Sequence, residues 1–385
     1  MTEETFPITE KMLYFNTAVM GCLPSSTIDV IEEYTGDLAA FLRGDTGWDG
    51  TLQALEDRKP ESKKVFAKVI RASENEVACV PNATAGINTI MNMLPVERGD
   101  NIVTTDLAFP MGAVVAENQR RRGAETKFIK SRKGIVDTAD FEKAVDDNTT
   151  IVYLDHAGWF NGLLFDLKAI SDIAHEHGAR LVVDATQSIG AVNWNVDRSG
   201  VDAAATSTYK WLMGGIWPLS TGFMYINREL VDAYPPAYVS GASMKKMQIE
   251  DSEEGYTKYK FTPERGIKRL EAFRGTDISY VAVEHSIKIL LKLGLDKVEA
   301  RIKKLDTILV DGLLESGFQL QTPEEENRRI FLNVKHEDPE EIVKRLAEHK
   351  IVVSPRVGGI RISPHFYNRE DEVDTFLEKL KEVAT

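Results

Sequence analysis

Short apolar runs alternate along the first two-thirds of the chain with longer stretches whose apolar residues recur three and four positions apart. The runs at 77–80, 102–105, 125–129, 150–154, 180–183 and 203–208 are too short for helices, and most carry β-branched residues, so they predict strands. Between them Ile87, Ile90, Met91 and Leu94 mark one amphipathic helix. Helical patterns also fill 60–71, 111–123 and 166–177, the last stopped by Gly178. Upstream, 12–15 reads as a short strand. Ser25, Ser26 and Thr27 then cap a helix whose apolar stripe is Ile28, Ile31, Tyr34 and Leu38. Strand and helix alternating in this way predict an α/β fold with a mostly parallel sheet sandwiched by helices.

After Tyr225 the pattern changes. The stretch 241–269 is rich in Lys, Glu and Met with little periodicity, and is expected to be an exposed or mobile loop. Beyond it come helical patterns at 279–293 and 299–314, strands near 318–321, 330–334 and 360–363, and a capped helix at 339–349. A chain of 385 residues exceeds one small core. We expect an N-terminal segment (1–25), a large domain (26–285) and a small α+β domain (286–385), to which the N-terminal segment is free to contribute.

Composition narrows the function. A hydrophobic content of 43% with 28% charged residues is that of a globular protein. The formal charge of −13 leaves no basic surplus to neutralise phosphates, which argues against a nucleic-acid partner. The local run Arg120, Arg121 and Arg122 reads as a solvated helix end. Cys22 and Cys79 are the only cysteines, without C-x-x-C spacing, so neither a disulfide framework nor a zinc site is expected. The acidic start and the lack of a long apolar run support neither export nor a membrane span, and a cytoplasmic enzyme is the expectation.

The chemistry concentrates between Leu181 and Tyr225. A short apolar strand ends in Asp184, Gln187 follows, and the next strand leads to Lys210 between Tyr209 and Trp211. A lysine amine holds an aldehyde as an imine, which makes it an electrophile ready for exchange with a substrate amine. A carboxylate facing a pyridine nitrogen keeps that nitrogen protonated, and the ring becomes an electron sink. Asp184 and Lys210 are therefore what a pyridoxal 5′-phosphate (PLP) site needs. Each alone reads equally well as a strand-end cap or a solvated charge over an apolar ring. Upstream, Asn82, Ala83 and Thr84 place backbone N–H groups and a hydroxyl at a helix N-terminus, which is either a generic anion site or a plain cap.

The motifs D-A-T-Q (184–187), S-T-Y-K-W-L-M-G-G (207–215) and T-G-F-M-Y (221–225) resemble the class V aminotransferases. These fold-type I PLP enzymes also include cysteine desulfurases, cyst(e)ine lyases, kynureninases and isopenicillin N epimerase-like proteins. The resemblance runs from Tyr14 to Asp371. It implies the fold-type I architecture, PLP, Lys210 as the Schiff-base lysine, Asp184 at the pyridine nitrogen and Gln187 at the phenolic oxygen. Ser207, Ala83 and Thr84 match phosphate ligands, and Phe109 before Pro110 looks like the F-P version of the ring-stacking aromatic. A lone phenylalanine is otherwise core. Tyr209 stands where the family has histidine.

On the substrate side, the opening Y-F-N-T-A-V-M-G-C-L-P (14–24) matches a family segment that lines the pocket and contains Asn16. His156 matches a family histidine but reads equally as a strand-end residue, and Trp159 replaces an asparagine. Arg361, in a segment similar to R-V-S-x-x-x-Y-N-T, matches the arginine that binds the substrate α-carboxylate, a role suited to its planar fork. A structural arginine is the other reading. Thr276 resembles a threonine that reaches the phosphate of the neighbouring subunit, implying a homodimer.

The reaction stays open between three outcomes from one Cα carbanion formed with Lys210 as base. Desulfurases of the family carry a nucleophilic cysteine shortly before the substrate arginine, and the span 352–358 has none. Together with Trp159 this favours β-elimination by a C–S lyase on a cysteine- or cystine-like amino acid. Transamination comes next and epimerisation third. A non-catalytic binding module fits poorly with intact Lys210, Asp184 and Arg361.

Overall fold

Apolar runs of four to seven residues cannot bury themselves as helices, and they assemble into one sheet. The computed structural model of the protein describes residues 4–47, 61–215, 221–251, 257–273 and 276–384. Its strands begin with β1 (Leu13–Tyr14), β2 (Val77–Val80), β3 (Asn101–Thr105), β4 (Glu125–Ile129), β5 (Thr149–Asp155), β6 (Arg180–Asp184), β7 (Ala203–Ser207) and β8 (Gly222–Ile226). Seven of them form a sheet in the order β2-β8-β7-β6-β5-β3-β4. All its pairings are parallel except those of β8, which runs against β2 and β7.

Every position of β2, β3, β7 and β8 is buried, as expected of strands covered on both faces. Alternation along each strand divides the core in two. Cys79, Val103, Leu154 and Val183 pack on one face with helices Ser62–Ile70, Leu167–Glu176 and Asp277–Leu293. Val80, Ile102, Tyr153 and Val182 pack on the other with helices Ala83–Met93 and Pro110–Glu117.

Strands β9 (Met244–Asp251) and β10 (Thr257–Pro263) pair as an antiparallel ribbon. This corrects the loop expected over 241–269. The ribbon pairs with itself, and its described positions Lys245, Lys246, Lys260, Phe261, Thr262 and Pro263 are exposed, so no burial at these positions imposes an alternation that the sequence would show. The tip at 252–256 lies outside the described residues, as do Trp48 and Asp49 of the expected loop at 44–50.

The C-terminal region holds β11 (Leu332–Lys335), β12 (Ile351–Val352), β13 (Ser354–Arg356) and β14 (Gly359–Ile362). Strands β11, β14 and β13 form an antiparallel sheet whose core includes Leu309, Leu332, Ile360, Ile362 and Phe376. The expected strand at 318–321 reduces to a single bridge between Leu320 and Val334. The N-terminal segment joins this region: β1 pairs with β12, Asn16 bridges to Ser363, and Phe15 enters the same core.

Helix Ser25–Arg43 starts without a side-chain cap of its own. Ser25 pairs with Thr5 instead, and Glu4 accepts the Ser26 N–H at 3.0 Å. The acid that serves this helix end is thus 22 residues away. Among the described residues no helix is long and apolar enough to cross a membrane.

Candidate active site

Parallel strands bring their carboxyl ends to one edge, where polar loops can converge. Register pairs Asp155, the last residue of β5, with Asp184, the last of β6. Strand β7 ends at Ser207, and the chain turns to deliver Lys210 to the same place. A cavity of about 650 Å³ opens there, within the range of small-molecule sites. Its walls include eight predicted residues: Ala83, Thr84, Phe109, Trp159, Asp184, Gln187, Ser207 and Lys210.

Lys210 is buried, with Nζ 5.8 Å from the Phe109 ring centre and 5.7 Å from that of Tyr209. Burial, helped by the charge of Arg361, lowers its pKa to about 8, while Asp184 and Asp155 pull the other way. A neutral amine is thus accessible near physiological pH. Asp184 accepts the Thr186 N–H at 2.9 Å, and burial raises its pKa. Asp155 accepts the Phe109 N–H at 2.7 Å and the Tyr153 hydroxyl at 3.2 Å. Its pKa is pushed well up, by burial first and then by Asp184. Two adjacent buried carboxyls cannot both be charged cheaply, and Asp155 is the one held towards its protonated form.

Helix Ala83–Met93 points its N-terminus into the cavity. Asn82 caps it, accepting the Ala85 N–H at 2.9 Å, and Ala83 donates its N–H to Ser207 Oγ at 3.0 Å. The Thr84 N–H meets no acceptor among the described residues, so a free donor and the helix dipole face the same space. Ser207 is set by its own N–H, which donates to Thr186 Oγ1. Gln187 is fixed at both ends, donating to Ala18 O at 3.0 Å and accepting from Trp211 Nε1 at 2.9 Å. Trp211 is wholly buried, not a ring under a solvated lysine. Gly21 donates to Tyr209 O, and a Cβ on it would overlap the Lys210 carbonyl oxygen.

The other four predicted residues are not on the cavity wall. Arg361, on β14, donates from Nη1 to Trp159 O at 2.5 Å, and its Nε is buried without a partner. Burial, then the charge of Arg356, lowers its pKa to about 9. Asn16 is buried with Oδ1 unpartnered. His156 packs on Trp194, ring centres 5.3 Å apart, with Nδ1 unpartnered and a pKa lowered by burial to about 3, so its imidazole is neutral. Thr276 is exposed at the start of helix Asp277–Leu293 and pairs with Ser279 Oγ. Arg274 and Gly275 of its motif lie outside the described residues.

Sequence reading assigned nothing to Asp155 or Thr186, and both line the cavity. Asp155 was findable: like Asp184, it ends a predicted parallel strand. Cys22 and Cys79 are buried away from the cavity, and burial pushes the Cys22 thiol up to about 12.

The family model described as Aminotransferase class-V matches residues 14–376. A probable cysteine desulfurase of Pyrococcus abyssi is 28% identical over 98% of this chain and 96% of its own. A kynureninase of Geobacillus thermodenitrificans is 23% identical over 89% and 82%. Among solved structures, a cysteine desulfurase from Thermococcus onnurineus matches with a TM-score of 0.84 and 24% identity, covering 98% of this chain and 96% of its own. A cystine C–S lyase in complex with cysteine persulfide matches with 0.84 and 20% identity, covering 98% and 99%.

Proposed function

The chain belongs to the class-V aminotransferase family, and from that premise we propose that it is a PLP-dependent lyase that cleaves the C–S bond of a cysteine- or cystine-like amino acid. The observation that carries this reading is the placement of Lys210, Asp184 and the open helix N-terminus at Thr84 around one cavity. Those groups match the aldehyde, the ring nitrogen and the phosphate of PLP.

In the proposed enzyme Thr84, Ala83 and Ser207 hold the phosphate. Asp184 would keep the ring nitrogen protonated, Gln187 would donate to the phenolic oxygen, and Phe109 would exclude water from the ring. The bound cofactor supplies a sink for the electron pair left at Cα. Arg361 grips the α-carboxylate and its unpartnered Nε completes a fork. Asn16, His156 and Trp159 belong to the substrate side. Lys210 takes the α-proton at Nζ, and loss of the sulfur substituent from Cβ follows.

The fate of sulfur separates this reading from a desulfurase. Both cysteines of the chain lie off the cavity, and Cys22 is held as a thiol, so no protein thiolate is placed to accept sulfur. Sulfur leaves as a small-molecule product. The test is to add L-cysteine and L-cystine to the PLP-loaded protein while following its absorbance and products. Pyruvate, ammonia and sulfide or persulfide with a lasting aldehyde band are expected. Conversion of the cofactor to its amine form, with release of the matching keto acid, would replace lyase by transaminase.

Three features accompany the proposal. A homodimer is supported by the exposed Thr276 and by helix Ser25–Arg43, which leaves Leu38 and Leu42 exposed; Thr276 would reach the partner's cofactor. Light scattering tests it. Domains at 26–285 and 286–385 are supported by the separate core around Leu309 and Ile360. That neither cysteine forms a disulfide agrees with the cytoplasm.

A further inference from the structure

Strands β13 and β14 are joined by the two-residue turn Val357–Gly358, closed by the pair Arg356 and Gly359. Both turn residues have positive φ, 48° and 70°, the geometry of the tightest hairpins. Valine rarely adopts it, and Val357 is exposed, so no packing of its own side chain offsets the strain. Strain that is kept in this way points to a function for the hairpin.

The hairpin sets two arginines side by side. Ser354 pairs with Arg361 and Arg356 with Gly359, so Arg356 and Arg361 are diagonal neighbours on one face, about 7–8 Å apart at the backbone. Asn333 anchors the assembly, donating to Arg356 O and to Phe160 O at 3.0 Å each. Phe160 follows Trp159, whose carbonyl holds Arg361.

Neither arginine has an acidic partner among the described residues. The Arg356 guanidinium donates only to Pro355 O at 2.6 Å, and Arg361 Nε is a buried donor without an acceptor. The field of Arg356 reaches both Arg361 and Lys210, lowering the pKa of each. Arg361 reaches the cavity wall through Trp159, and Arg356 shares its face of the hairpin. One substrate carboxylate answers Arg361 and leaves Arg356 uncompensated.

We infer that Arg356 is a specificity residue that binds a second carboxylate, on the substrate's side chain, so that the substrate is an amino acid carrying an acid beyond its α-carboxylate. A cystine-like disulfide or a carboxyalkyl thioether has this character. The inference rests on the reading of Arg361 as the α-carboxylate ligand, and it names the substrate class of the same site. The strained turn is then the device that keeps two like charges on one short hairpin, aimed at two ends of one ligand.

The test uses binding, read from the absorbance change of the PLP-loaded protein, with two matched ligands. S-carboxymethyl-L-cysteine carries the second carboxylate, and S-ethyl-L-cysteine replaces it by a methyl group. The wild type should bind the first about ten- to hundredfold more tightly, the range expected of a hydrogen-bonded charge pair. In Arg356→Gln the ratio of the two dissociation constants should fall to near one, and in Arg356→Lys to an intermediate value. An unchanged cofactor band shows that each variant is folded. Equal binding of both ligands by the wild type, or an undiminished ratio in Arg356→Gln, overturns the inference. Arg361→Gln is the control: it should weaken both ligands alike, and if it weakens neither, the reading of Arg361 fails separately. Because binding is measured, the outcome does not depend on whether elimination or transamination follows.

Discussion

At the sheet end of the cavity most polar side chains are engaged, whereas β14 and the N-terminal segment, off the cavity wall, keep buried polar atoms without partners. Asp184, Asp155, Ser207 and Gln187 each hold a hydrogen bond within the protein. Arg361 Nε and Asn16 Oδ1 do not. An unsatisfied buried group costs about 1–3 kcal/mol, so it is tolerated where a ligand supplies the missing partner. The first region is preorganised for a resident group, and the second is completed only by a visiting one. Mutations in the first should therefore damage rate and cofactor retention, and mutations in the second should damage affinity.

The strongest test of this contrast is Lys210→Ala. It should lower turnover by about a thousandfold or more, since it removes both the attachment point and the base. Normal rates in a turnover assay would dissolve the assignment of the sheet end altogether. Next, Asp184→Asn should cost about a hundredfold in kcat, the scale of a lost electrostatic partner. Asp155→Asn should cost less than about tenfold, because its carboxyl is already held towards the neutral form. Comparable losses from both would show that the two acids act as one unit.

A smaller effect belongs to the region of β14 and the N-terminal segment. Arg361→Gln should raise KM for the amino acid about ten- to hundredfold while changing kcat far less. A fall in kcat alone would mean that the two regions are not separable. The smallest effect links them. Burial and the charge of Arg361 hold Lys210 at about 8, so the rate of PLP capture by the apoprotein should climb as pH rises through 8, as the ammonium loses its proton, and then level off. Removing the charge in Arg361→Gln should move that midpoint upward. Stopped-flow absorbance across pH 6–10 reads both.

The same contrast describes what was readable beforehand. Asp184, Gln187, Ser207 and Lys210 lie within 26 positions of one another on consecutive strands and loops, and Ala83 and Thr84 open the helix that comes just after a strand. Local pattern suffices for such residues, because a strand end and a helix start announce themselves in the apolar periodicity. Arg361 and Trp159 touch across 202 positions, and Asn16 meets β14 only because the N-terminal segment folds into the C-terminal region. The ribbon at 244–263 and the cap from Glu4 were unreadable for a related reason, since each depends on a partner that local periodicity does not indicate.

By itself the sequence determined the parallel sheet, its two-faced core and the lysine–aspartate pair at the strand ends. Strand period and helix period act over a few residues, so they are written locally. Only the tertiary structure decided that Asp155 stands beside Asp184, that Arg356 and Arg361 share a face, and that buried polar atoms of Arg361 and Asn16 stay unpaired. Those outcomes follow from register and from the packing of distant segments, where the energy belongs to the contact and to no single stretch of chain.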